Sequence, residues 1–404
     1  MNKNTKIVAA LIALGLVTPM AYATNGNQVM SIGSQNTALG GSGVANFTGA
    51  ESTFANPAML GKSKGSEFTG GVVYFKPTVT NTGFTVTTPE TSSADPSVIP
   101  DMSYSSRISD SLTYGVALAG IAGMGVDYTG ANANYVKAKT TMGLLRVIPT
   151  IAYNTKDYGI GFSPVLQNGS LAISYATQNG ANNADHKKDS DTGYGYALGG
   201  YFNVMPSLTL AAAYQSEIEM TYGKQLSTAG LGFGQVFADK LAQPAEIKLG
   251  VAYTMSDVTL TADYKQIQWG SAVGFKQFGW ENQTVIALGA KYAGNGYWVG
   301  AGYNSADDPI GVYANGTLTP AGNNGGVVNM FNNLLFPAIV EDSYTFGGGY
   351  SMSKALDLEV SAVISPKVTK KVDISDAAQQ PPGSVSNTTT HSQQAVSLSL
   401  RYKF

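Results

Sequence analysis

The last ten residues of the chain, AVSLSLRYKF, place Val396, Leu398, Leu400, Tyr402 and Phe404 on one face and Ser397, Ser399, Arg401 and Lys403 on the other. A period of two with one apolar face marks a β-strand half covered by an apolar medium. Leu356, Leu358, Val360, Ala362 and Ile364 alternate with Asp357, Glu359 and Ser361 in the same way. So do Val258, Leu260, Ala262 and Tyr264 with Thr259, Thr261, Asp263 and Lys265. Ile247, Leu249, Val251 and Tyr253 alternate with Glu246, Lys248, Gly250 and Ala252. Leu112, Tyr114, Val116 and Leu118 alternate with Thr113, Gly115, Ala117 and Ala119. The pattern predicts strands near 66–76, 98–107, 112–121, 142–154, 157–175, 193–203, 208–222, 245–254, 258–269, 283–292, 297–304, 340–350, 356–368 and 392–404. Their connections alternate, short at 108–111, 155–156, 204–207, 255–257, 293–296 and 351–355, and long at 77–97, 122–141, 176–192, 223–244, 270–282, 305–339 and 369–391. Strict short–long alternation and an even count of about fourteen strands predict an all-β, up-and-down antiparallel transmembrane barrel. Its apolar face points outward to lipid, and its small and polar face lines the lumen. In a soluble sandwich the apolar face would point inward, and a terminal Phe on an edge strand would be a liability.

Composition moves the reading the same way. Charged residues are 12% of the 404, about half the share of a soluble globular protein. A net charge of −2 offers no basic footprint for nucleic acid. With no cysteine there are no disulfides and no thiolate metal sites. At the N-terminus, Lys3 and Lys6 precede an apolar run from Ile7 to Val17 and an Ala21-Tyr22-Ala23 cleavage pattern. That is a secretory signal peptide, 1–23, too short in its apolar run to span a bilayer. The predicted division is a signal peptide 1–23, an N-terminal unit 24–65 and a barrel 66–404. The predicted location is the outer membrane of a Gram-negative bacterium, in contact with its lipid and lipopolysaccharide. The barrel is expected to be a monomer. The terminal Phe404 resembles the ending that the barrel-assembly machinery reads in outer membrane barrels.

Few residues offer reactive chemistry. The two histidines, His186 and His391, both fall in predicted long loops. NNADHKKDSD, 182–191, reads as a charged loop tip rather than a catalytic or metal-binding cluster. No cofactor, metal or catalytic residue is expected. Gly41-Ser42-Gly43 lacks the strand before it and the Lys-Ser/Thr after it that a phosphate loop needs. The charges of the last two strands set an expected register. With Asp357 opposite Lys403 and Glu359 opposite Arg401, all four point into the lumen at the short-turn end, each pair adding roughly 0.2–1 kcal/mol. DISDAAQQPPGSVSNTTTHSQQ reads as an exposed, mobile loop.

The N-terminal unit carries a resemblance. Asn25-Gly26, GSQNTALGGSGVA (33–45) and ANPAML (55–60) are similar to the N-terminal region of the FadL family, outer membrane transporters of long-chain fatty acids and aromatic hydrocarbons. EFTGGVVYFKP (67–77), the stretch 99–128, YQSEIEMTYGK (214–224) and the C-terminal SLSLRYKF extend the likeness over the mature chain. The resemblance implies a fourteen-stranded barrel with a small hatch, 24–65, inside the lumen. It implies hatch-gated passive diffusion of hydrophobic small molecules, with exit through a lateral gap where the third strand kinks inward. Carried onto this sequence, Asn25 and Gly26 form the hatch tip and Asn56, Pro57 and Ala58 its core. Val29, Met30, Ile32, Phe47 and Phe54 are candidate lining residues, with Leu39 and Met330. Gly120, Gly123 and Gly125 mark the kink or, alternatively, an ordinary strand end. Phe331, Leu334, Leu335 and Phe336, in the apolar stretch 327–340, either form an outer groove for substrate or cap the barrel mouth by packing on themselves. No Arg/Lys pair stands in the hatch or the third strand to hold a carboxylate, so a fatty acid and a neutral hydrocarbon both remain open. The competing reading is a general porin for polar solutes.

Overall fold

The computed structural model describes residues 24–83, 88–131, 137–176, 183–185 and 187–404. The signal peptide and His186 lie outside the described residues. Fourteen strands form the wall, named here in chain order: β1 (Glu67–Asn81), β2 (Ser97–Arg107), β3 (Leu112–Asp127), β4 (Lys137–Asn154), β5 (Tyr158–Ala176), β6 (Asp189–Met205), β7 (Leu208–Gln215), β8 (Glu246–Met255), β9 (Val258–Ile267), β10 (Gln283–Gly294), β11 (Tyr297–Ala306), β12 (Asp342–Ser351), β13 (Leu356–Asp373) and β14 (Ser386–Lys403). Each pairs antiparallel with its neighbours, and β14 pairs with β1 from Lys403↔Glu67 to Thr389↔Asn81, which closes the barrel. Closure pairs the first strand with the last, so the sheet has no terminal edge strand.

The outward faces are apolar. Val396, Leu398, Leu400 and Tyr402 are each about half exposed, while Ser397, Ser399 and Arg401 between them are buried. Tyrosines ring both ends of this band: Tyr104, Tyr114, Tyr153, Tyr253 and Tyr350 at the short-turn end, and Tyr74, Tyr194, Tyr264 and Tyr344 toward the long loops. Such girdles seat a barrel at the two faces of a membrane.

Several strands differ from their predicted bounds. β1, β13 and β14 run further toward the long-loop end, so the predicted long connection 369–391 narrows to 374–385, and the later part of the stretch expected as a mobile loop belongs to β14. The outward face of these extensions is polar, so the lipid-facing apolar alternation stops before them. The predicted strand 208–222 breaks at Gln215, and Ile218–Thr221 leaves the wall to pair with Lys240–Gln243. The register of the last hairpin is shifted by two residues: Asp357 lies opposite Arg401, and Glu359 opposite Ser399. The expected ion pairs nevertheless form diagonally, Lys403 with Asp357 and Arg401 Nη2 with Glu359 at 3.3 Å. Long side chains lean far enough along a strand to reach a diagonal neighbour. His391 is not in a loop but on β14, buried and lumen-facing, with Nδ1 2.7 Å from the Pro337 carbonyl oxygen.

Residues 24–66 precede the wall and lie within it. They form a hairpin of Thr24–Asn25 with Gln28–Val29, a short helix α1 (Ser34–Ala38) and two 3₁₀ turns, Ala50–Phe54 and Pro57–Lys62. Their bonds reach strands all around the ring. Ser34 Oγ bonds Ser399 Oγ at 2.7 Å, Thr345 Oγ1 donates to the Ala38 carbonyl at 2.9 Å, and Val44 N donates to Asp263 at 2.9 Å. At the short-turn end, Arg401 bonds Glu51 at 2.7 Å and the Thr48 carbonyl. Irregular backbone at membrane depth is tolerated only in such a setting, enclosed by protein that satisfies it.

The long loops fold into a cap over the other mouth. It contains helices α2 (Gln225–Gly232) and α3 (Gly325–Leu335) and a buried aromatic cluster of Trp269, Phe275, Phe278, Trp280, Phe331 and Phe336. Asn324 caps α3 by accepting from Val327 N at 2.9 Å. Inside the cap, Trp280 Nε1 donates to Asn332 at 3.1 Å, and Asn332 Nδ2 donates to the Phe278 carbonyl at 2.7 Å.

Candidate functional site: a wall opening beside an internal cavity

The site begins with one extra residue. The β2–β3 ladder runs from Arg107↔Thr113 to Asp101↔Ala119 and stops there. On the other side of β3 the β4 register slips between Gly120 and Ala122, with Ile121 as the unpaired bulge residue. A bulge bends its strand and raises its twist. Burial reports the bend: up to Leu118, β3 alternates between covered and exposed positions, and from Ala119 to Met124 every residue is buried. The strand has therefore turned inward, with both faces covered by protein.

Beyond the bulge β3 takes a new partner. Gln28 of the internal hairpin pairs with Ala122, and Gly123 N donates to the Asn27 carbonyl at 3.1 Å. The β2–β3 ladder does not extend to residues 97–100 of β2, which still pair with β1. Higher up the two sides meet again, where Ser93 N donates to the Asp127 carbonyl at 2.9 Å and Asp127 N donates to Ser92 Oγ at 2.9 Å. The result is a window, bounded by Asp101–Ala119 below and Ser92/Ser93–Asp127 above. Met30 stands behind it in a cluster with Phe75 and Ile99, with Val29 packed alongside.

Two cavities adjoin the window. One, of about 30 Å³, lies between Phe75 and Val79 of β1, Gly123–Gly125 of β3, and Gly26. The other, of about 60 Å³, has an apolar side of Val29, Met30, Ile32, Phe54 and Ile121. Its opposite side carries Arg146, Glu246, Lys248 and Lys265. Lys248 and Lys265 stand directly opposite each other on β8 and β9. Facing like charges destabilise a sheet. Glu246 answers one of them, 3.1 Å from Lys248, and Arg146 donates to Gln167 at 2.8 and 3.0 Å. Asp263 is engaged by Val44 N, and Lys265 makes no ion pair among the described residues. The buried Nε2 of Gln28, on the same cavity, also lacks a hydrogen-bond partner. One side of this cavity is therefore apolar, and the other carries donors without a hydrogen-bond partner.

The family model for outer membrane protein transport proteins (OMPP1/FadL/TodX) matches residues 15–404. The chain belongs to this family. No curated protein matches its sequence. Among solved structures it resembles the toluene transporter TodX of Pseudomonas putida, at 18% identity over 93% of this chain and 99% of that one, TM-score 0.67. A FadL homologue of Pseudomonas aeruginosa matches at 15% identity, 94% and 100% coverage and TM-score 0.68. The toluene transporter TbuX of Ralstonia pickettii matches at 16% identity, 93% and 99% coverage and TM-score 0.66. These likenesses show the fold. The family and the barrel together place the protein in the Gram-negative outer membrane as a transport protein, with the short turns at the periplasmic end.

Within this family member the sequence-derived residues fall into separate groups. Gly26, in the hairpin turn at φ 65°, lies against the Trp269 ring, and a Cβ there would press on it. Asn25 pairs with Gln28 in the same hairpin. Asn56 Nδ2 donates to the Val44 carbonyl at 2.9 Å and to the Gly200 carbonyl of β6 at 3.2 Å. Its Oδ1 accepts from Ala58 N at 2.9 Å, so it ties the segment both to itself and to the wall. Gly161 and Gly199 leave the room for this seat, since a Cβ on either would strike Ala58, Pro57 or Asn56. Phe47 packs with Ala58, Met59 and Tyr201 and faces a separate vestibule of about 610 Å³ at the periplasmic end, not the central cavity. Leu39 and Met330 pack away from the cavities. Phe331, Leu334, Leu335 and Phe336 are at most 1% exposed inside the cap, so they line no open groove. Their core cluster is continuous with Ile32 and Ile121 at the cavity. Sequence reasoning missed the cationic side, because Arg146, Lys248 and Lys265 come from strands four, eight and nine. Only the lumen-facing phase of Lys248 and Lys265 was legible.

Proposed function

We propose that this protein admits hydrophobic molecules with an acidic head group and releases them sideways into the outer membrane through the window between β2 and β3. The observation that carries this reading is the exchange of partners by β3, which leaves β2 above Ala119 and pairs with Gln28 instead. Residues 24–65 act as a hatch within the lumen, cut free by removal of the signal peptide at 1–23. The apolar continuity from the cap through Ile32 to Ile121 is the path inward. Val29, Met30 and Phe54 cover the tail, burying it at roughly 25 cal/mol per Å². Lys265 and Gln28 receive the head. Exit through the window spares the tail a return to water, which a passage through the hatch into the periplasm would demand. The toluene carried by TodX and TbuX fits the same apolar surface, but a neutral hydrocarbon leaves the donors unused.

The test compares a long-chain fatty acid with its methyl ester in cells carrying wild-type protein or Lys265→Gln. Loss of a charge-assisted hydrogen bond, worth roughly 1.5–3 kcal/mol, predicts a fall of about tenfold or more in uptake of the acid at low concentration. Uptake of the ester should hold. Equal effects on acid and ester, or none on either, would refute the head-group assignment. A denaturation midpoint measured on the same variant separates loss of the head-group contact from loss of fold, since Glu246 and Asp263 lie within the field of Lys265.

A further inference from the structure

The outer wall carries a second chemistry, on β13, β14 and β1 at the long-loop end. On β13 the outward residues run Leu358, Val360, Ala362 and Ile364, and then Ser365 pairs with Gln393 while Val368 pairs with His391. Pro366 and Lys367 thus lie opposite the single residue Ser392, as a β-bulge. A bulge changes which side chains face out. Below it the even-numbered residues face lipid. Above it Thr369 and Lys371 are exposed, and Lys370 instead turns inward to Asp308 at 2.6 Å. The extra residue therefore puts Lys367 and Lys371 on the outer surface.

Lys76 of β1 joins them across β14. Lys76 pairs with Gln394, which pairs with Ile364, one outward row above the Tyr74, Val396 and Ala362 row. At this level β1 and β14 change from apolar to polar, and β13 follows one row further out, past Ile364, with Thr78, Thr80, Thr390 and Ser392 continuing outward. Strands are about 4.8 Å apart and rise about 3.4 Å per residue, so Lys76 and Lys367, which lies one outward row further along opposite Ser392, flank β14 with their backbones about 12 Å apart. Neither they nor Lys371 makes an ion pair among the described residues. The outward carboxylate beside them, Asp373, two residues beyond Lys371 on β13, accepts from Ser375 N at 2.9 Å and from Gly383 N at 3.0 Å, and Asp342 of β12 accepts from Tyr303 Oη at 2.6 Å. The contrast is Lys139, also outward on β4, which is paired with Asp127 at 2.8 Å.

We propose that Lys76 and Lys367, with Lys371 further out, form a binding site for the phosphate of a phosphorylated outer-leaflet glycolipid whose acyl chains lie on the Val360, Ile364, Val396 and Tyr74 surface. The inference rests on the outer membrane location and not on the transport route. A cation on the lipid face costs about 2–4 kcal/mol at the bilayer midplane and about 0–1 near the interface, so lysines just above the girdle are tolerated there. Their long stems keep the ammonium groups in the head-group layer. Unpaired cations at the height of the first lipid phosphates complement them in charge, and the threonine and serine hydroxyls between them supply neutral donors. The occupant is a lipid rather than a free anion, because the apolar face directly below needs acyl chains to cover it.

Native mass spectrometry of the full-length protein in detergent tests this, with bis-phosphorylated lipid A as probe and its dephosphorylated form as comparison. The wild type should retain one phosphorylated lipid A and bind the dephosphorylated form at least tenfold more weakly. Combining Lys76→Gln, Lys367→Gln and Lys371→Gln should abolish that preference, whereas Lys139→Gln should keep it. Inorganic phosphate at lipid concentrations should not compete. Equal binding of both lipids by wild type, a triple variant that binds like wild type, or an equal loss in Lys139→Gln would each overturn the proposal. Competition by inorganic phosphate would overturn its lipid source.

Discussion

Single residues decide how the internal segment is held. Asn56 has both Nδ2 donations and its Oδ1 acceptance satisfied in a buried seat, and the wall glycines Gly161 and Gly199 exist where that seat needs space. Asn56→Ala strands two buried carbonyl groups and one N–H. At roughly 1 kcal/mol per lost bond, the variant should be destabilised by about 2–3 kcal/mol, read as a lower denaturant midpoint with the barrel's sheet content retained. An unchanged midpoint would mean that the segment is held by other contacts. At this scale the sequence was partly legible. Asn56-Pro57-Ala58 stood out as a motif, and Lys248 and Lys265 were legible as lumen-facing. That these two lysines face each other depends on the β8–β9 register, which period two leaves open. The same limit produced the two-residue error between β13 and β14, because a slip of two keeps every side chain on its own face.

At the scale of elements, two bulges do what regular strands cannot. The bulge at Ile121 turns β3 inward and ends its ladder with β2, and the bulge at Pro366–Lys367 puts Lys367 and Lys371 on the outer surface. Outward strand faces were legible because lipid demands unbroken apolar alternation. Bulges were not, since one extra residue only shifts the phase, although the glycines around Gly120 and Gly123 gave a local sign. The cap was legible least. Its aromatic core is assembled from Trp269, Phe275, Phe278, Trp280, Phe331 and Phe336, drawn from separate loops, and no local period reports such a union. Deleting Ile121 should restore one register along β3, let it rejoin β2 and close the window. Uptake of a hydrophobic substrate should fall at least tenfold while the protein still resists unfolding in detergent. Wild-type uptake in that variant would separate the bulge from transport.

For the whole molecule, the reading is a sealed barrel with its lumen filled and one side open. Arg401, Glu51, Glu359 and Glu67 close the periplasmic end around the internal segment, and the cap closes the other. The window lies between these two closures, against the lipid. A porin for polar solutes needs an open axial path, and here segment 24–66 occupies that axis. The route itself is measurable. A long-chain fatty acid bearing a photoreactive diazirine at its tail, irradiated during uptake into outer membrane vesicles, labels the residues it passes, and peptide mapping locates them. The account predicts labels on 28–30, on Ile121 to Met124 and on Val98 to Pro100. Labels concentrated instead on Phe47, Trp298 and Tyr350 of the periplasmic vestibule, with none at the window, would contradict it.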